Sequence, residues 1–341
     1  MELEFVRKSL EGEKLGPFKL MLSPTDHCNL RCRTCWRLEK SGRYDEMSGE
    51  EMKRIMREAR EIGTKVLDLT GGGEPFLRKD MIDLMEYGKK LGFFCTLTTN
   101  GTLLNEEKIE RIVNIGWDDI CFSLDGASKK TNDYIRGEGT YEKVIHTIKK
   151  FQEVKKRLGK EKPILRLSTV ITSKNYEELE GIIKLASELG VKAIYFSPLF
   201  EWESNKELWV RGVEEDRMKR CLKKAEEVAK GLGIDTNLRY LLEFGVLEHE
   251  KPKFCFAPWY MLFINASGEA MVCCTLATLH FNIVGNIKER SLEELWFGER
   301  MEAFRKRVKE GKLFKECERC LPDFTHKFNE WYEVVFCNSK K

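Results

Sequence analysis

Glutamine is almost missing from this sequence. Gln152 is the only one in 341 residues, while Asp, Glu, Lys and Arg make up 34% of the chain. That exchange of thermolabile amides for charge is the one seen in proteins adapted to heat. An excess of one charge sign is missing too. The formal balance is only +3, which gives no field to capture nucleic acid or an anionic membrane. Long apolar runs are absent as well. The N-terminus "MELEFVRKSLEGEKLG" has no apolar core of a signal peptide, and no stretch is long enough to span a bilayer. The expected location is therefore cytoplasmic, with no membrane and no nucleic acid as partner. There is no internal repeat beyond a strand–helix period and no low-complexity tract. The basic run from Lys149 to Lys162 reads as a solvated helix face and loop.

Cysteine is plentiful, with twelve in the chain. In a reducing cytosol such cysteines read as metal ligands or catalytic thiols. Intracellular disulfides of a thermophilic archaeon are the competing reading.

The first two hundred residues alternate in type. "FKLMLSPT", "KVLDLTGGGEP", "FFCTLTTNG", "DDICFSLDG", "PILRLSTVITS" and "KAIYFSPLF" read as strands, each of the first five followed by an amphipathic helical segment. The first of those helices, "SGEEMKRIMREAREIG", starts with a Ser-x-x-Glu capping signal. Units of about thirty residues imply a parallel sheet with right-handed crossovers. The apolar runs suggest strands buried on both faces. Polar and Gly-rich residues cluster after each strand, at the end of a parallel sheet where α/β proteins bind ligands. After Phe200 the pattern changes to a long charged helix, two short strands around an Asn-Ala-Ser-Gly turn, and a mostly helical tail ending in "CERC". The expected division is residues 1–235 and 236–341.

Three thiols stand within eight residues: Cys28, Cys32 and Cys35, spaced C-x3-C-x2-C after the first strand. A structural zinc site wants four ligands. Three thiolates on a cubane iron–sulfur cluster leave one iron free to bind something else. His27 is adjacent to Cys28, and its side chain should point away by alternation. A zinc knuckle completed by remote ligands is the bland alternative.

This pattern resembles the radical S-adenosylmethionine (radical SAM) superfamily, over roughly residues 18–200. "GGGEP" at 71–75 stands after the second strand, where that family has a Gly-Gly-Glu-Pro motif. The resemblance implies a partial (β/α)6 TIM-like barrel in an α/β fold, with a small C-terminal α+β cluster-binding extension. It implies that the backbone around Gly72, Gly73 and Glu74 holds the methionine amino group. Ser123 and Asp125 of "FSLDG" would meet the ribose, and Arg136 the methionine carboxylate. One departure is Thr34, where the family usually has an aromatic residue; Trp36 lies just beyond, and the adenine contact stays unassigned. The implied chemistry is reductive cleavage of SAM on a [4Fe-4S] cluster. A 5′-deoxyadenosyl radical then takes hydrogen from a substrate C–H bond, with the one electron supplied by an external donor such as ferredoxin or flavodoxin.

The tail adds Cys255, Gly268 and Cys273, then the Cys317–Cys320 pair, giving C-x12-G-x4-C followed by C-x2-C. Four thiols match one all-cysteine cluster, and equally a tetrahedral zinc site. The spacing resembles the auxiliary-cluster extension called Twitch, the shorter form of SPASM, which implies one auxiliary [4Fe-4S] cluster. The positions for a second set of cysteines hold His326 and Glu330. Cys274 and Cys337 are spares; Cys95, Cys121 and Cys221 read as small buried residues.

The functional expectation is oxidation or modification of a small molecule or cofactor precursor. Peptide maturases in the superfamily often carry a leader-binding winged helix before the barrel, and only a short segment precedes Phe18 here. A peptide- or protein-modifying maturase is the alternative, and a non-catalytic zinc-binding interaction module is the alternative of another class. Tyr195, Phe196, Trp202 and Trp209 are candidate pocket aromatics that core packing explains equally well. No catalytic acid or base is identified.

Overall fold

The computed structural model describes residues 1–35, 45–246, 252–273, 283–320 and 322–337. A short helix, α1 (Glu2–Leu10), precedes the first strand, β1 (Lys19–Leu22). Helix α2 (Gly49–Glu61) begins at a reciprocal cap: the Glu51 amide donates to the Ser48 hydroxyl, and the Ser48 amide donates to the Glu51 carboxylate. This is the physical content of the Ser-x-x-Glu signal. Met52, Ile55, Met56 and Ala59 form its buried stripe.

The alternation continues through β2 (Val66–Leu69), α3 (Met81–Lys90), β3 (Phe94–Thr99), α4 (Glu106–Asn114) and β4 (Asp119–Ser123). Two helices follow, α5 (Lys129–Arg136) and α6 (Thr140–Leu158), then β5 (Ile164–Ile171), α7 (Leu179–Glu188) and β6 (Ala193–Pro198). β1 to β6 pair in chain order, every pair parallel. This is the parallel α/β sheet that the alternation implied and the partial barrel that the resemblance implied.

Helix α8 (Glu215–Leu232) leads to a two-residue strand, β7 (Asp235–Thr236), on the free edge of β6, and then to α9 (Leu238–Phe244). The tail supplies α10 (Ala257–Tyr260), β8 (Met261–Ile264), β9 (Glu269–Met271), β10 (Ile283–Asn286), α11 (Leu292–Trp296), α12 (Glu299–Lys309) and α13 (Pro322–Tyr332). β8 pairs parallel with β1, from Lys19↔Met261 to Leu22↔Ile264, and β9 and β10 add antiparallel strands beyond it. The sheet therefore runs β10-β9-β8-β1-β2-β3-β4-β5-β6-β7. The C-terminal extension continues the barrel sheet rather than forming a separate layer. Among the described residues no helix is long and apolar enough to cross a membrane.

Burial on both strand faces holds in β1 and β2, where Met21 and Asp68 are buried beside Leu20 and Leu67, but not through β3 to β6. Leu20, Leu67, Cys95, Leu97, Ile120, Phe122, Leu165, Leu167 and Phe196 are buried. Helix α3 packs on this face, where Gly88 comes so close to Leu67 that an added Cβ would lie 2.7 Å from its methyl. The alternate residues Thr96, Thr98, Cys121, Ser123, Ser168, Tyr195 and Ser197 are only half-buried. Two ion pairs stand on that second face, Lys19 with Asp68 at 2.6 Å and Arg166 with Asp119. A sheet covered by helices on one face keeps the other for polar side chains, with a period of two.

Candidate active site and auxiliary pocket

The cysteine loop leaves β1 at its C-terminal end and is tied down at both ends. The Ser23 amide donates to Ile264 O of β8 at 2.8 Å. Beyond the loop, the Glu46 carboxylate accepts from the Thr25 hydroxyl at 2.9 Å and from the Asp26 amide at 2.7 Å. His27 Nε2 lies 3.9 Å from the same carboxylate. Cys28, Cys32 and Cys35 are partly buried and joined in no disulfide. The Leu30 amide donates to Cys28 Sγ at 3.5 Å, and the Cys35 amide donates to Cys32 O at 3.0 Å. Between them Arg33 clamps the loop onto the end of α5. Its amide donates to Ile135 O at 2.8 Å and its Nε to Tyr134 O at 3.0 Å, with the guanidinium 4.5 Å from the centre of the Tyr134 ring.

The glycine run after β2 lies directly against this loop. The Gly72 amide donates to Ser23 Oγ at 3.2 Å, and the Glu74 amide donates to His27 O at 2.8 Å. An added Cβ on Gly73 would lie 2.7 Å from both the His27 carbonyl carbon and Thr25 O, and closer still to His27 O. These are backbone atoms and cannot swing aside. The structure thus gives Gly73 a reason the sequence did not: it admits the cysteine loop. Glu74 is buried, and its carboxylate accepts from Thr99 Oγ1 and the Asn100 amide, both at 2.7 Å. Burial raises its pKa, and these donors act in the opposite direction. The carboxylate therefore stitches β2 to β3, leaving backbone groups as what the motif offers a ligand.

Gly73→Val is expected to force the loop backbone away. Iron retention should then fall by about half, together with SAM cleavage, because overpacking against backbone has no cheap relief. Iron assay and SAM binding by the same preparation separate two causes. Full iron with lost SAM binding would mean the glycine serves the ligand and not the loop.

Arg136, the last residue of α5, is half-buried between two groups. Its Nε lies 2.7 Å from Asp125 Oδ2, a close ion pair set off the line of a good hydrogen bond. Its Nη1 lies 4.0 Å from Cys32 Sγ. The Cys32 thiol donates to Arg136 O at 3.7 Å. Asp125 Oδ1 accepts from the Val170 amide at 2.7 Å, joining β4 to β5. Burial raises the Asp125 pKa, with Arg136 pulling the other way. Burial also pushes the Cys32 thiol up to about 11, again against Arg136. A bound metal is what ionises such a thiol, and Arg136 adds a fixed positive charge beside it. Ser123 is half-buried at the end of β4.

Asn100 went unnoticed in the sequence. Its Nδ2 lies 4.0 Å from Cys28 Sγ and donates to Asn29 Oδ1 at 2.9 Å. The signal was the polar "TTNG" immediately after β3. Trp36 and Cys274 lie outside the described residues.

In the tail, Cys255, Cys273, Cys317 and Cys320 line a single pocket. Its other walls are apolar: Pro252, Ala257, Met261, Val272, Phe304 and Phe328. Burial and the three neighbouring thiols together hold the Cys255 pKa well above its usual value. In their donor chemistry both cysteine sets suit iron–sulfur clusters, three thiols on one loop and four in an apolar pocket. His326 and Glu330 are joined to each other, Nε2 to Oε1 at 2.9 Å, and His326 stacks on Tyr240 with centroids 4.1 Å apart. Cys95 is buried, Cys121 and Cys221 are half-buried, and Cys337 is exposed.

Comparison with known proteins gives these arrangements a context. The radical SAM superfamily model matches residues 22–186, and the SPASM model, described as an iron–sulfur cluster-binding domain, matches residues 255–321. Together they cover more than half of the chain. The chain is 25% identical to a tungsten-containing aldehyde ferredoxin oxidoreductase cofactor-modifying protein of Pyrococcus furiosus, over 88% of this chain and 86% of that one. It is 28% identical to an AdoMet-dependent heme synthase of Methanosarcina barkeri, over 87% and 86%. It is 26% identical to a PqqA peptide cyclase of Rhizobium meliloti, over 91% and 82%. The fold is shared with Streptococcus suis SuiB bound to S-adenosylmethionine, with a TM-score of 0.71 and 19% identity, over 88% of this chain and 70% of that one. The chain belongs to the radical SAM superfamily, as an enzyme whose cofactors are S-adenosylmethionine, the [4Fe-4S] cluster that binds it, and an auxiliary cluster in a SPASM-type extension.

Proposed function

We propose that this enzyme takes hydrogen from an unactivated C–H bond of a small molecule, a cofactor precursor, and that the net outcome is oxidation or another modification at carbon. The observation that carries this reading is the four-thiol apolar pocket built on a strand hydrogen-bonded to β1. An all-cysteine cluster there has no iron open to substrate and suits electron transfer. Two relatives support the choice of substrate class, one a cofactor-modifying protein and the other a heme synthase. The polar face with Thr98, Ser168, Tyr195 and Ser197 suits a substrate with hydrogen-bonding groups.

In this reading residues 1–235 carry the SAM chemistry and residues 236–341 the second cluster. Cys28, Cys32 and Cys35 hold the first cluster, and Cys255, Cys273, Cys317 and Cys320 the second. The cluster and SAM supply a carbon radical strong enough to break a C–H bond. The chain binds, orients and excludes water. Backbone groups of Gly72, Gly73 and Glu74 receive the methionine ammonium, and carbonyls suit that task. Arg136, beside Cys32, receives the methionine carboxylate with its fork of donors. Ser123, half-buried at the end of β4, faces the ribose, while Asp125, fully buried on the Val170 amide and Arg136, positions that arginine instead. The electron comes from an external donor of the ferredoxin or flavodoxin class.

A second reading, a peptide substrate, is favoured by the relative named as a peptide cyclase. One experiment addresses both. Metabolites and peptides are compared in cells with and without the gene, and the accumulating precursor is then offered to the enzyme in deuterated form. A small molecule should accumulate, and its deuterium should appear in 5′-deoxyadenosine. Accumulation of a modified-peptide precursor, with no change among small molecules, would move the assignment to the peptide.

A further inference from the structure

Beside the thiol pocket, across one phenylalanine, lies an open cavity of about 530 Å³. Helix α12 supplies Arg300, Ala303, Phe304 and Arg307 to it, which is one helix face at i, i+3, i+4 and i+7. Lys306, Lys312 and Phe314 complete that wall. Phe304 lines this cavity and the thiol pocket alike. Its ring lies 5.2 Å from that of Phe314, and the Arg307 guanidinium lies 4.2 Å from the Phe314 ring. A short aromatic bridge therefore connects a cationic surface to the walls of the tail cysteines.

The charge there is one-sided. Four cations line the cavity against one carboxylate, Glu310, which is paired to Lys312 at 2.9 Å. Lys312 holds Glu310 below its usual range, with Lys306 and Arg307 adding to the effect. Arg300, Lys306 and Arg307 have no carboxylate partner among the described residues, and Arg307 Nε is buried without an acceptor. Arg300, Lys306 and Lys312 are exposed. A chain with a formal balance of only +3 does not produce such a patch by overall excess.

We infer that this cationic cavity is the docking surface of an acidic one-electron carrier protein, of the ferredoxin or flavodoxin class, that serves the group held by the tail cysteines. The inference rests on the reading of those cysteines as a redox site. The exchange is one electron: the oxidised carrier gains what the tail group loses, and no bond forms or breaks. Encounters of this kind use small, charged, salt-sensitive interfaces. Placing the carrier here shortens the path to the thiol pocket to about one side chain.

The test titrates a purified acidic flavodoxin into the cluster-loaded enzyme, anaerobically, at low and at high salt. Wild type should bind at least about tenfold more tightly at low salt, since surface pairs are screened within about 10 Å at 0.1 M. The double variant Arg300→Glu with Lys306→Glu should lose that gain and show a flat salt response. Its dithionite-driven 5′-deoxyadenosine formation should match wild type, which excludes misfolding. Unchanged binding by this variant would overturn the proposal. So would an equal loss in a control, Arg220→Glu with Lys223→Glu on α8, which would mean non-specific attraction. Displacement of the carrier by inorganic phosphate at constant ionic strength would overturn it too, in favour of a small-anion site. Patch-dependent binding without any electron exchange would count against the redox reading of the tail cysteines, and leave the docking surface standing.

Discussion

Replacing Cys28, Cys32 and Cys35 together by alanine is expected to leave about half of the iron and no reductive cleavage of S-adenosylmethionine. Two cubanes would give wild type about eight iron atoms per chain after anaerobic reconstitution. The tail pocket shares no ligand with the first set, so its portion should remain. The loop itself should survive the change. It is held by the Ser23 amide on β8, by Glu46, and by Arg33 on the end of α5, none of which involves a thiol. Loss of activity would then report loss of the cluster and not collapse of the barrel. Full iron retention with normal 5′-deoxyadenosine formation would sink the assignment of these three residues. A colourless, zinc-only wild type would do the same and return the chain to the class of interaction modules.

The parallel sheet was legible because each of its strands is a local apolar run closed by glycine or polar residues. Six such runs, at a regular spacing, leave few arrangements open. The strands that went unread are β7, with two residues, and β10, whose four include a glycine. Neither is long enough to show a period. The pairing of β8 with β1 was unreadable for another reason: nothing local in "MLFI" or "KLML" names its neighbour. The polar strand face was readable in principle. In β5, Leu165, Leu167, Thr169 and Ile171 are buried while Arg166, Ser168 and Val170 are not, and that alternation is written in "ILRLSTVI". The apolar character of the other strands hid it.

At the site, residues that stand out by spacing were named, whereas Asn100, which acts through contacts with distant segments, was not. Three cysteines in eight residues announce themselves. The link from Glu74 to Asn100, and from Asn100 toward Cys28, joins segments 26 and 72 positions apart. Gly73 was expected to be a place of close approach to methionine, and in the fold its close neighbours are the loop's own backbone at Thr25 and His27. A single sequence reveals that a glycine is required, and the fold alone reveals what approaches it.

Cys317→Ala with Cys320→Ala should have the other large effect. The variant should keep its first cluster and still cleave SAM, because Cys28, Cys32 and Cys35 lie on a loop at the C-terminal end of β1. The tail pocket, with Met261 in its wall, stands toward the opposite end of the same paired strands, where Met261 meets Lys19. Product formation should nevertheless fall by at least about a hundredfold, since a carbon radical with no electron sink cannot complete a two-electron oxidation. The confounding outcome is a loosened tail, because ligands gathered on one cluster also hold a small unit together. The structure limits that risk. β8 is fixed by hydrogen bonds to β1, and the Arg305 Nε donates to Pro258 O at 3.0 Å from within α12. Circular dichroism and gel filtration should therefore be close to wild type. A folded variant that forms product at the normal rate would make the second cluster a structural staple. The reaction would then be redox-neutral, with the hydrogen returned to the product, and the relevant measurement would shift from oxidation state to the stereochemistry at the attacked carbon.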